Sequence, residues 1–281
     1  MVIFDKSKDN SDMWYNKGTA LGKRGKSEEA ITCFDKALEI NPNFVDAWHN
    51  KGSTLRDLQK YEEAIKCYDE AIKLKPNYSI AWLNKGTALG RLEKHEEAIK
   101  AYNQAILLKP NYSIAWNNKG GILVKLRKYE EAIKCYDEAI RFKREYPSAW
   151  YNKGAVLSKL EKYLEAIKCY DEAIRIKHDY FTAWFHKGIA LDNMDKHEEA
   201  IKCYDEANKL KSNNFNMWYD KGLALSDLGK YEEAIKCYDE AIKLKPNYFN
   251  AWRDKGDALV KLGKYDEARK CFDISQRRQE R

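Results

Sequence analysis

The sequence lacks any long apolar run. No stretch approaches the roughly 20 apolar residues that cross a bilayer, and residues 1–10 lack the extended apolar core of a signal peptide. These absences argue against a membrane-spanning or exported protein. We therefore expect a cytoplasmic protein with no membrane partner.

Signals for catalysis and for cofactors are also scarce. No nucleophile–base pair, glycine-rich dinucleotide turn or separate carboxylate pair stands out from the rest of the sequence. Residues 22–27 resemble the end of a phosphate-binding loop, but Ala20 occupies the place of its first glycine and no predicted strand precedes it. His95 and His197 each begin a His-Glu-Glu segment, yet an isoleucine stands where a zinc helix has its second histidine. We predict no enzyme activity, no metal and no cofactor, and we assign both histidines to aromatic packing.

What the sequence has instead is one short segment, Trp-x-Asn-Lys-Gly in its commonest form, that occurs eight times. Its tryptophans follow one another every 34 residues without an insertion: Trp14, Trp48, Trp82, Trp116, Trp150, Trp184, Trp218 and Trp252. A fixed period of this length indicates a solenoid, in which a helical unit buries its apolar face only when a neighbour stacks on it.

The period also divides the chain. We number positions within each repeat from 1, with repeats beginning at Ser11, Val45, Ser79, Ser113, Pro147, Phe181, Phe215 and Phe249. We predict an N-terminal cap segment over residues 1–10, in which Val2–Phe4 cover the first repeat. A repeat array then occupies residues 11–281, and Ser275–Arg281 give its last helix a polar outer face.

Each repeat holds two helical patterns. Tryptophan at position 4, glycine at 8 and leucine at 11 predict a first amphipathic helix. The second opens on an acidic turn, which suits the positive end of the helix dipole, and continues with apolar residues such as Ala64, Tyr68 and Ala71. Proline at position 32 ends it, so we expect repeats 4 to 6, which lack that proline, either to flex more or to have longer second helices. Ser79 and Ser113 are placed to cap the following first helices, and no room remains for a strand.

This pattern resembles the tetratricopeptide repeat. The signature of that family has tryptophan at position 4, glycine at 8, alanine at 20 and 27, an aromatic residue at 24 and proline at 32. Repeat 2 matches it with Trp48, Gly52, Ala64, Tyr68, Ala71 and Pro76. The resemblance covers residues 11–281 and implies an all-α fold, an α-solenoid that forms a right-handed superhelix of antiparallel helix pairs. We expect the tryptophans to be buried beside the small residues where helices cross closely.

Two further columns have packing explanations. Seven cysteines share position 23, namely Cys33, Cys67, Cys135, Cys169, Cys203, Cys237 and Cys271, and Ala101 takes the eighth place. Two helices separate equivalent residues of successive repeats, which puts them beyond the about 7 Å limit of a disulfide. We therefore predict reduced, buried cysteines. Position 7 is lysine in every repeat, and we expect a packed stem whose ammonium group pairs with the aspartate of a second helix.

The resemblance also implies which surface binds a partner. The inner, concave face carries positions 2, 5, 6, 9, 12 and 13 of the first helices, and we call this surface the ladder face. Position 6 is an amide in five repeats and then a histidine and two aspartates: Asn16, Asn50, Asn84, Asn118, Asn152, His186, Asp220 and Asp254. Amides donate to and accept from a peptide backbone whatever its side chains, as in the similar asparagine ladder of O-linked N-acetylglucosamine transferase. Alternatively, asparagine is simply common at this position in the family.

Specificity would come from the positions that differ between repeats. Position 5 carries Tyr15, His49, Leu83, Asn117, Tyr151, Phe185, Tyr219 and Arg253. Repeats 3 to 5 present Arg91, Lys125 and Lys159 without acids on the ladder face, whereas repeats 6 to 8 present Asp192, Asp220, Asp227, Asp254 and Asp257. A ligand with acidic residues in its middle and basic residues at one end fits this distribution.

We therefore predict a non-enzymatic adaptor that holds an extended peptide or a partner helix on the ladder face. Three alternatives stay open: a self-associating structural module, a nucleic-acid binder that uses the lysine columns, and the regulatory array of an enzyme on another chain. The formal net charge of +7 would suit nucleic acid, but the lysines recur in register with acidic residues instead of forming a block. We favour a protein or peptide partner. The carboxylate clamp of the co-chaperone members of the family lacks its required residues here.

Overall fold

The structure of this chain, a computed structural model, describes residues 6–276. Over that range it consists of helices joined by short turns and contains no strand, as the repeat pattern predicts. Two compact units divide between Arg144 and Glu145. The predicted cap at Val2–Phe4 and the polar end from residue 277 onward lie outside the described residues. None of the described helices is long and apolar enough to cross a membrane.

Each repeat contributes two successive helices. The first unit contains α1 (Lys6–Lys23), α2 (Ser27–Ile40), α3 (Val45–Asp57), α4 (Tyr61–Leu74), α5 (Ser79–Arg91), α6 (His95–Leu108), α7 (Ser113–Lys125) and α8 (Tyr129–Phe142). The second contains α9 (Pro147–Lys159), α10 (Tyr163–Ile176), α11 (Phe181–Asp192), α12 (His197–Leu210), α13 (Phe215–Asp227), α14 (Tyr231–Leu244), α15 (Phe249–Lys261) and α16 (Tyr265–Gln276). Helix α1 begins inside the segment predicted as a cap.

The two helices of a repeat pack through a glycine and an aromatic ring. In repeat 2, Tyr68 is fully buried, and a Cβ atom built on Gly52 would lie 2.8 Å from its ring. The alanines at positions 20 and 27, such as Ala64 and Ala71, are fully buried as well. The aromatic residue at position 24, and not the tryptophan, therefore fills the space beside the small residues.

The tryptophans are half-buried, which corrects the expectation of full burial. The indole Nε1 donates to the carbonyl oxygen at position 32 of the preceding repeat, at 2.9–3.1 Å, in the pairs Trp48–Pro42, Trp82–Pro76, Trp116–Pro110, Trp184–His178, Trp218–Ser212 and Trp252–Pro246. Because the acceptor is a backbone carbonyl, the bond forms with or without proline. Each of these six indoles thus holds its repeat to the turn before it and remains partly open to solvent.

The position-7 lysines have the structural role that we predicted. Their Nζ atoms pair with the aspartate at position 25 of the preceding second helix in Lys51–Asp35, Lys85–Asp69, Lys187–Asp171, Lys221–Asp205 and Lys255–Asp239. The same ammonium groups lie over the tryptophans, for example 5.5 Å from Lys85 Nζ to the ring centre of Trp82. These pairings use the charge that a nucleic-acid phosphate would need.

Each first helix is followed, at position 15, by a residue with left-handed backbone. Its φ is between 57° and 61° at Gln59, Glu93, Arg127, Glu161 and Asp195, and 74–75° at Gly25, Gly229 and Gly263. The next N–H donates to the carbonyl at position 11, as from Lys60 to Leu55 at 2.9 Å, which closes the helix as a Schellman motif. A residue with a side chain pays about 1–2 kcal/mol for this conformation.

The helix ends correct two expectations. Ser79 and Ser113 are the first helical residues of α5 and α7, and the preceding cap residues are tyrosines that make no side-chain cap bond. Helices α8, α10 and α12, which lack the terminal proline, have 14 residues, the same length as α4 and α14. The proline is therefore not what sets the end of the second helix.

The seven cysteines are buried and free of disulfides, as predicted. Burial raises the pKa of the thiols of Cys67, Cys135, Cys203 and Cys237 to about 11. Thiols with so high a pKa carry little thiolate and are poor nucleophiles at neutral pH.

Candidate functional site

In the first unit, the ladder face carries a directional chain of hydrogen bonds that crosses three repeats. Arg56 Nη1 donates to Asn84 Oδ1 at 3.2 Å, and Asn84 Nδ2 donates to His49 Nε2 at 2.9 Å. His49 Nδ1 donates to Asn50 Oδ1 at 3.3 Å, and Asn50 Nδ2 donates to the Tyr15 hydroxyl at 3.0 Å. An amide has two N–H groups and two lone pairs on its oxygen. Asn50 and Asn84 each use one N–H and one lone pair in this chain of bonds, so one N–H and one lone pair of each remain for a ligand.

His49 sets the direction of this chain. Burial lowers the pKa of His49, so its ring is neutral at pH 7. A neutral ring with its proton on Nδ1 can donate to Asn50 and accept from Asn84 at once. If His49 Nε2 were protonated, two N–H donors, His49 Nε2 and Asn84 Nδ2, would face each other, and the hydrogen bond between them would be lost.

The asparagine column continues with different partners. Asn118 Oδ1 accepts from Asn117 Nδ2 at 3.3 Å, and Asn118 also bonds the Tyr102 hydroxyl. That hydroxyl lies 3.3 Å from Thr87 Oγ1. Asn16 is exposed on α1, and Asn152 is half-buried on α9 of the second unit. The column is therefore a set of amides oriented by neighbouring side chains.

Position 5 is mainly a core position, which corrects its placement on the open wall of the ladder face. His49, Leu83, Asn117 and Phe185 are buried. Tyr15, Tyr151 and Tyr219 are half-buried and contact the aromatic rings at position 24, for example 5.9 Å between the centres of Tyr151 and Tyr170. Arg253 alone of the column is exposed. The side chains at position 5 are therefore mostly shielded from solvent, and several of them orient the side chain at position 6 of the next repeat.

In the second unit, two recesses open at equivalent places on the ladder face. The recess between repeats 5 and 6 has a volume of about 360 Å³ and is lined by Tyr151, Ala155, Ser158, Lys159, Tyr163, Tyr170, His186, Ile189, Ala190 and Asn193. The recess between repeats 7 and 8 has a volume of about 310 Å³ and is lined by Leu223, Ser226, Asp227, Tyr231, Tyr238, Asp254, Asp257, Ala258 and Lys261. The same columns of the repeat form both recesses.

The two recesses differ in charge. Lys159 is the exposed charged residue of the first, where burial keeps His186 neutral by lowering its pKa and His186 Nδ1 donates to the Thr182 carbonyl at 2.8 Å. The second has three carboxylates. One of them, Asp254, accepts from the Tyr219 hydroxyl at 2.6 Å and from Arg253 Nε at 2.9 Å. The outward charge of this recess therefore comes from two exposed carboxylates, Asp227 and Asp257, and from one exposed ammonium group, that of Lys261.

A third group lies between these recesses, where repeats 6 and 7 meet. Asp192 Oδ1 accepts from His197 Nδ1 at 2.6 Å, and this bond is the main cause that raises the pKa of His197. Burial, with the charge of Asp192 beside it, raises the pKa of Asp220 to about 7. The Tyr204 hydroxyl is close enough to both carboxylates for their charges to raise its own pKa, after the larger effect of burial. His197 is thus an ion-pair partner, which corrects its assignment to aromatic packing.

The predicted basic residues occupy the last turns of first helices. Arg91 on α5, Lys125 on α7 and Lys159 on α9 are all exposed. They also suit the negative end of the helix dipole, so their position has a structural reason beside a binding one.

One set of residues on the first helices was not predicted from the sequence. Serine and threonine hydroxyls hydrogen-bond the tyrosine hydroxyls at position 24, and these residues are Ser53, Thr87, Ser158 and Ser226. Ser53 and Thr87 stand at position 9 whereas Ser158 and Ser226 stand at position 12, and this split conceals the set in the sequence.

Other surfaces offer less. A hollow of about 640 Å³ lies on the first unit away from the ladder face, among outward charged residues that include Lys66 and Glu70. No cluster of three or more His, Cys, Asp or Glu in the described part of the chain could hold a metal ion. The ladder face remains the surface with differentiated chemistry.

Comparison with family models identifies the repeats. A tetratricopeptide repeat model matches residues 11–44, 45–78, 79–112 and 147–180, and a second one matches residues 181–214. A TPR repeat model matches residues 120–161 and 222–263. A PPR repeat model matches residues 257–279. No curated protein gives a significant match.

Solved structures show the same fold at low sequence identity. YrrB, a TPR protein with an unusual peptide-binding site, is 24% identical with a TM-score of 0.59, covering 67% of this chain and 97% of YrrB. MamA from Desulfovibrio magneticus RS-1, solved from residue 41 to its end, is 20% identical with a TM-score of 0.57, and the match covers 60% of this chain and 97% of that one. PilF of Pseudomonas aeruginosa is 19% identical with a TM-score of 0.66, covering 79% of this chain and 99% of PilF. With repeat models matching most of the sequence from residue 11 to residue 263, the chain belongs to the tetratricopeptide repeat family.

Proposed function

We propose that this protein is a non-enzymatic interaction scaffold whose ladder face binds an extended peptide or a partner helix. Tetratricopeptide repeats mediate protein interactions in general, and their family is typically free of catalysis. The observation that carries the proposal is the pair of equivalent recesses in the second unit, one with Lys159 and one with Asp227 and Asp257 beside Lys261. Recesses that recur with the repeat but differ in charge suit a ligand whose side chains differ along its length.

Two further observations support a peptide as the ligand. Each of Asn50 and Asn84 retains one N–H and one lone pair, which is what one peptide unit requires. YrrB, which shares the fold, is described as having a peptide-binding site. We expect acidic ligand residues opposite Arg91, Lys125 and Lys159 and basic ones opposite the aspartates of repeats 6 to 8.

Charge reversal on the ladder face tests this proposal. Peptides would be selected from a display library of random 12-residue sequences and their affinity measured by fluorescence anisotropy. The triple variant Arg91→Glu, Lys125→Glu, Lys159→Glu should weaken the selected peptides at least tenfold. These side chains are exposed, so the fold should tolerate the change.

The control reverses three lysines on the second helices. Lys66, Lys134 and Lys168 are exposed at position 22, and their reversal gives the same change in net charge. It should alter affinity less than twofold. If the library yields no binder, or if both triple variants lose affinity equally, the ladder face is not the peptide site. Mass that rises with protein concentration would point to self-association, and affinity for DNA that falls steeply with salt would point to nucleic acid.

A further inference from the structure

The Tyr204 side chain is fully buried, yet its hydroxyl has no hydrogen-bond partner. In four other repeats the equivalent tyrosine bonds a serine or threonine: Tyr68–Ser53, Tyr102–Thr87, Tyr170–Ser158 and Tyr238–Ser226. In repeat 6, Ile189 and Asp192 occupy the two positions from which those hydroxyls come. An unpaired buried hydroxyl is costly, so this group needs a partner that the chain does not provide.

Two carboxylates flank this hydroxyl. Asp192 takes the position from which Ser158 and Ser226 bond their tyrosines, and Asp220 takes the position from which Asn118 bonds Tyr102. His197 on α12 binds Asp192 from the other side. Around Tyr204, the serine and the asparagine of other repeats, which can donate a hydrogen bond, are thus replaced by aspartates, which accept hydrogen bonds and carry negative charge.

We infer that the group formed by Asp192, Asp220 and Tyr204, where repeats 6 and 7 meet, binds a single basic side chain, arginine or lysine, of the bound partner. The inference rests on the proposed function only in assigning that side chain to the partner; the site itself can be tested alone. The cationic group would donate to Asp192 and Asp220 and to the Tyr204 oxygen. A neutral amide would leave a carboxylate charge without a counter-charge. A metal ion is a poorer occupant, because no suitable cluster of ligands occurs in the described residues.

The cation should bind more tightly as pH rises. Groups that bear on the two carboxylates are Asp195 in the turn after α11, His197 and Tyr204 on α12, Asp227 on α13 and Tyr248 before α15. At pH 8, Asp220 is largely ionised, whereas at pH 6 it is largely protonated because its pKa is about 7. His197, whose pKa is raised chiefly by its bond to Asp192, is also more protonated at pH 6 than at pH 8, and its positive charge then offsets the charge of Asp192. Both changes act in the same direction.

The probe for this site is Nα-acetyl-arginine amide, added to the full chain. Nα-acetyl-citrulline amide, nearly the same shape without the charge, is its control, and Nα-acetyl-lysine amide separates lysine from arginine. Binding is followed by the ¹³C signals of the Asp220 carboxyl and the Tyr204 ring in protein labelled at aspartate and tyrosine. We expect saturable shifts with at least one cationic amide at pH 8, about tenfold weaker binding at pH 6, and no shift with citrulline.

Three variants locate the binding. Asp220→Asn restores the residue that repeats 1 to 5 carry at this position and should weaken the cationic probe at least tenfold. Tyr204→Phe matches Phe34 and Phe272 of the same column and should weaken it several-fold. Asp179→Asn, in an exposed turn of the same unit, removes an equal charge and should leave the affinity unchanged.

Three results would overturn the inference. The first is the absence of any shift of Tyr204 with 50 mM of either cationic amide at pH 8. The second is equal binding of arginine and citrulline amides, and the third is an equal loss in Asp220→Asn and Asp179→Asn. None of these depends on whether library peptides bind, so the proposed function and the basic-side-chain site fail separately.

Discussion

At the scale of single residues, the informative side chains are buried polar groups without partners. In the described part of the chain these are His95 Nδ1, the Tyr204 hydroxyl and Asn208 Oδ1. Two of them lie on α12, and no other repeat has asparagine at the position of Asn208. Proteins break local rules chiefly where function or strain demands it, so α12 is the helix on which mutations should reveal most.

Asn208→Ile should stabilise the protein by about 1–3 kcal/mol, because it removes an unpaired buried oxygen and restores apolar packing. Position 28 is isoleucine in repeats 2 to 5 and in repeat 7. The measurement is urea unfolding followed by circular dichroism. The mirror variant Ile242→Asn, at a buried isoleucine, should destabilise by a similar amount. A loss of stability in Asn208→Ile would mean that the amide has an unseen role in the fold.

Asp220→Asn should stabilise the protein more at pH 8 than at pH 5. The pKa of Asp220 is about 7 in the folded protein and about 3.9 when unfolded, so the folded state binds a proton more tightly between these values. Ionisation therefore weakens the fold as pH rises through this window, and asparagine removes the effect, which is on the order of a few kcal/mol. Urea unfolding at both pH values measures it.

The control for this prediction is Asp254→Asn. Asp254 occupies the same position in repeat 8 but accepts from Tyr219 and Arg253, so the control should lower stability at pH 8. If both variants change stability alike, the environment of Asp220 is not special.

At the scale of elements, each first helix ends on one left-handed residue, whatever its identity. Five of these positions carry a side chain and three carry glycine. The chain keeps the turn because the hydrogen bond from position 16 to position 11 and the packing of both helices outweigh the local cost.

Arg127→Gly should therefore stabilise the protein by about 0.5–1 kcal/mol, and Gly229→Ala should destabilise it by about 1 kcal/mol. A Cβ atom on Gly229 would meet nothing within 4 Å, so the change isolates backbone strain from packing. Thermal unfolding of both variants checks the signs. A destabilised Arg127→Gly would show that the arginine side chain does more than occupy the turn.

At the scale of the whole molecule, the repeated columns separate stability from recognition. Alanine, cysteine and the position-24 ring are buried in repeat after repeat, and the position-7 lysines pair with aspartates. The varied residues lie on the ladder face. The paired lysines are thus neutralised within the fold, and the net charge of +7 comes from the remaining side chains.

The reactivity of the seven buried thiols should report local opening in every repeat that carries one. At pH 8 we expect none to react with a disulfide reagent within minutes in the native protein, because burial raises the pKa of most of them. All seven should react at once in urea. Counting labelled thiols by mass spectrometry tests this, and a thiol that labels equally fast in both states would mark a repeat that opens locally.

Much of the fold could be predicted from the sequence. The 34-residue period and the spacing of Ala64, Tyr68 and Ala71 predicted paired helices without strands, because a buried stripe must recur every three to four residues. The cysteine and lysine columns followed from the same reasoning. The half-burial of the tryptophans did not, since the carbonyl that each indole meets belongs to a turn whose path depends on how repeats stack.

The ladder face shows the limit of what local sequence pattern can predict. The sequence by itself determined which columns the face contains, because helical periodicity assigns each position to one side. Only the tertiary structure decided that Asn84 bonds His49, that Tyr219 bonds Asp254 and that Asp220 stands beside Asp192. Those contacts join residues about one repeat apart, and they depend on the angle and distance between helices. Spacing along the chain does not encode that geometry.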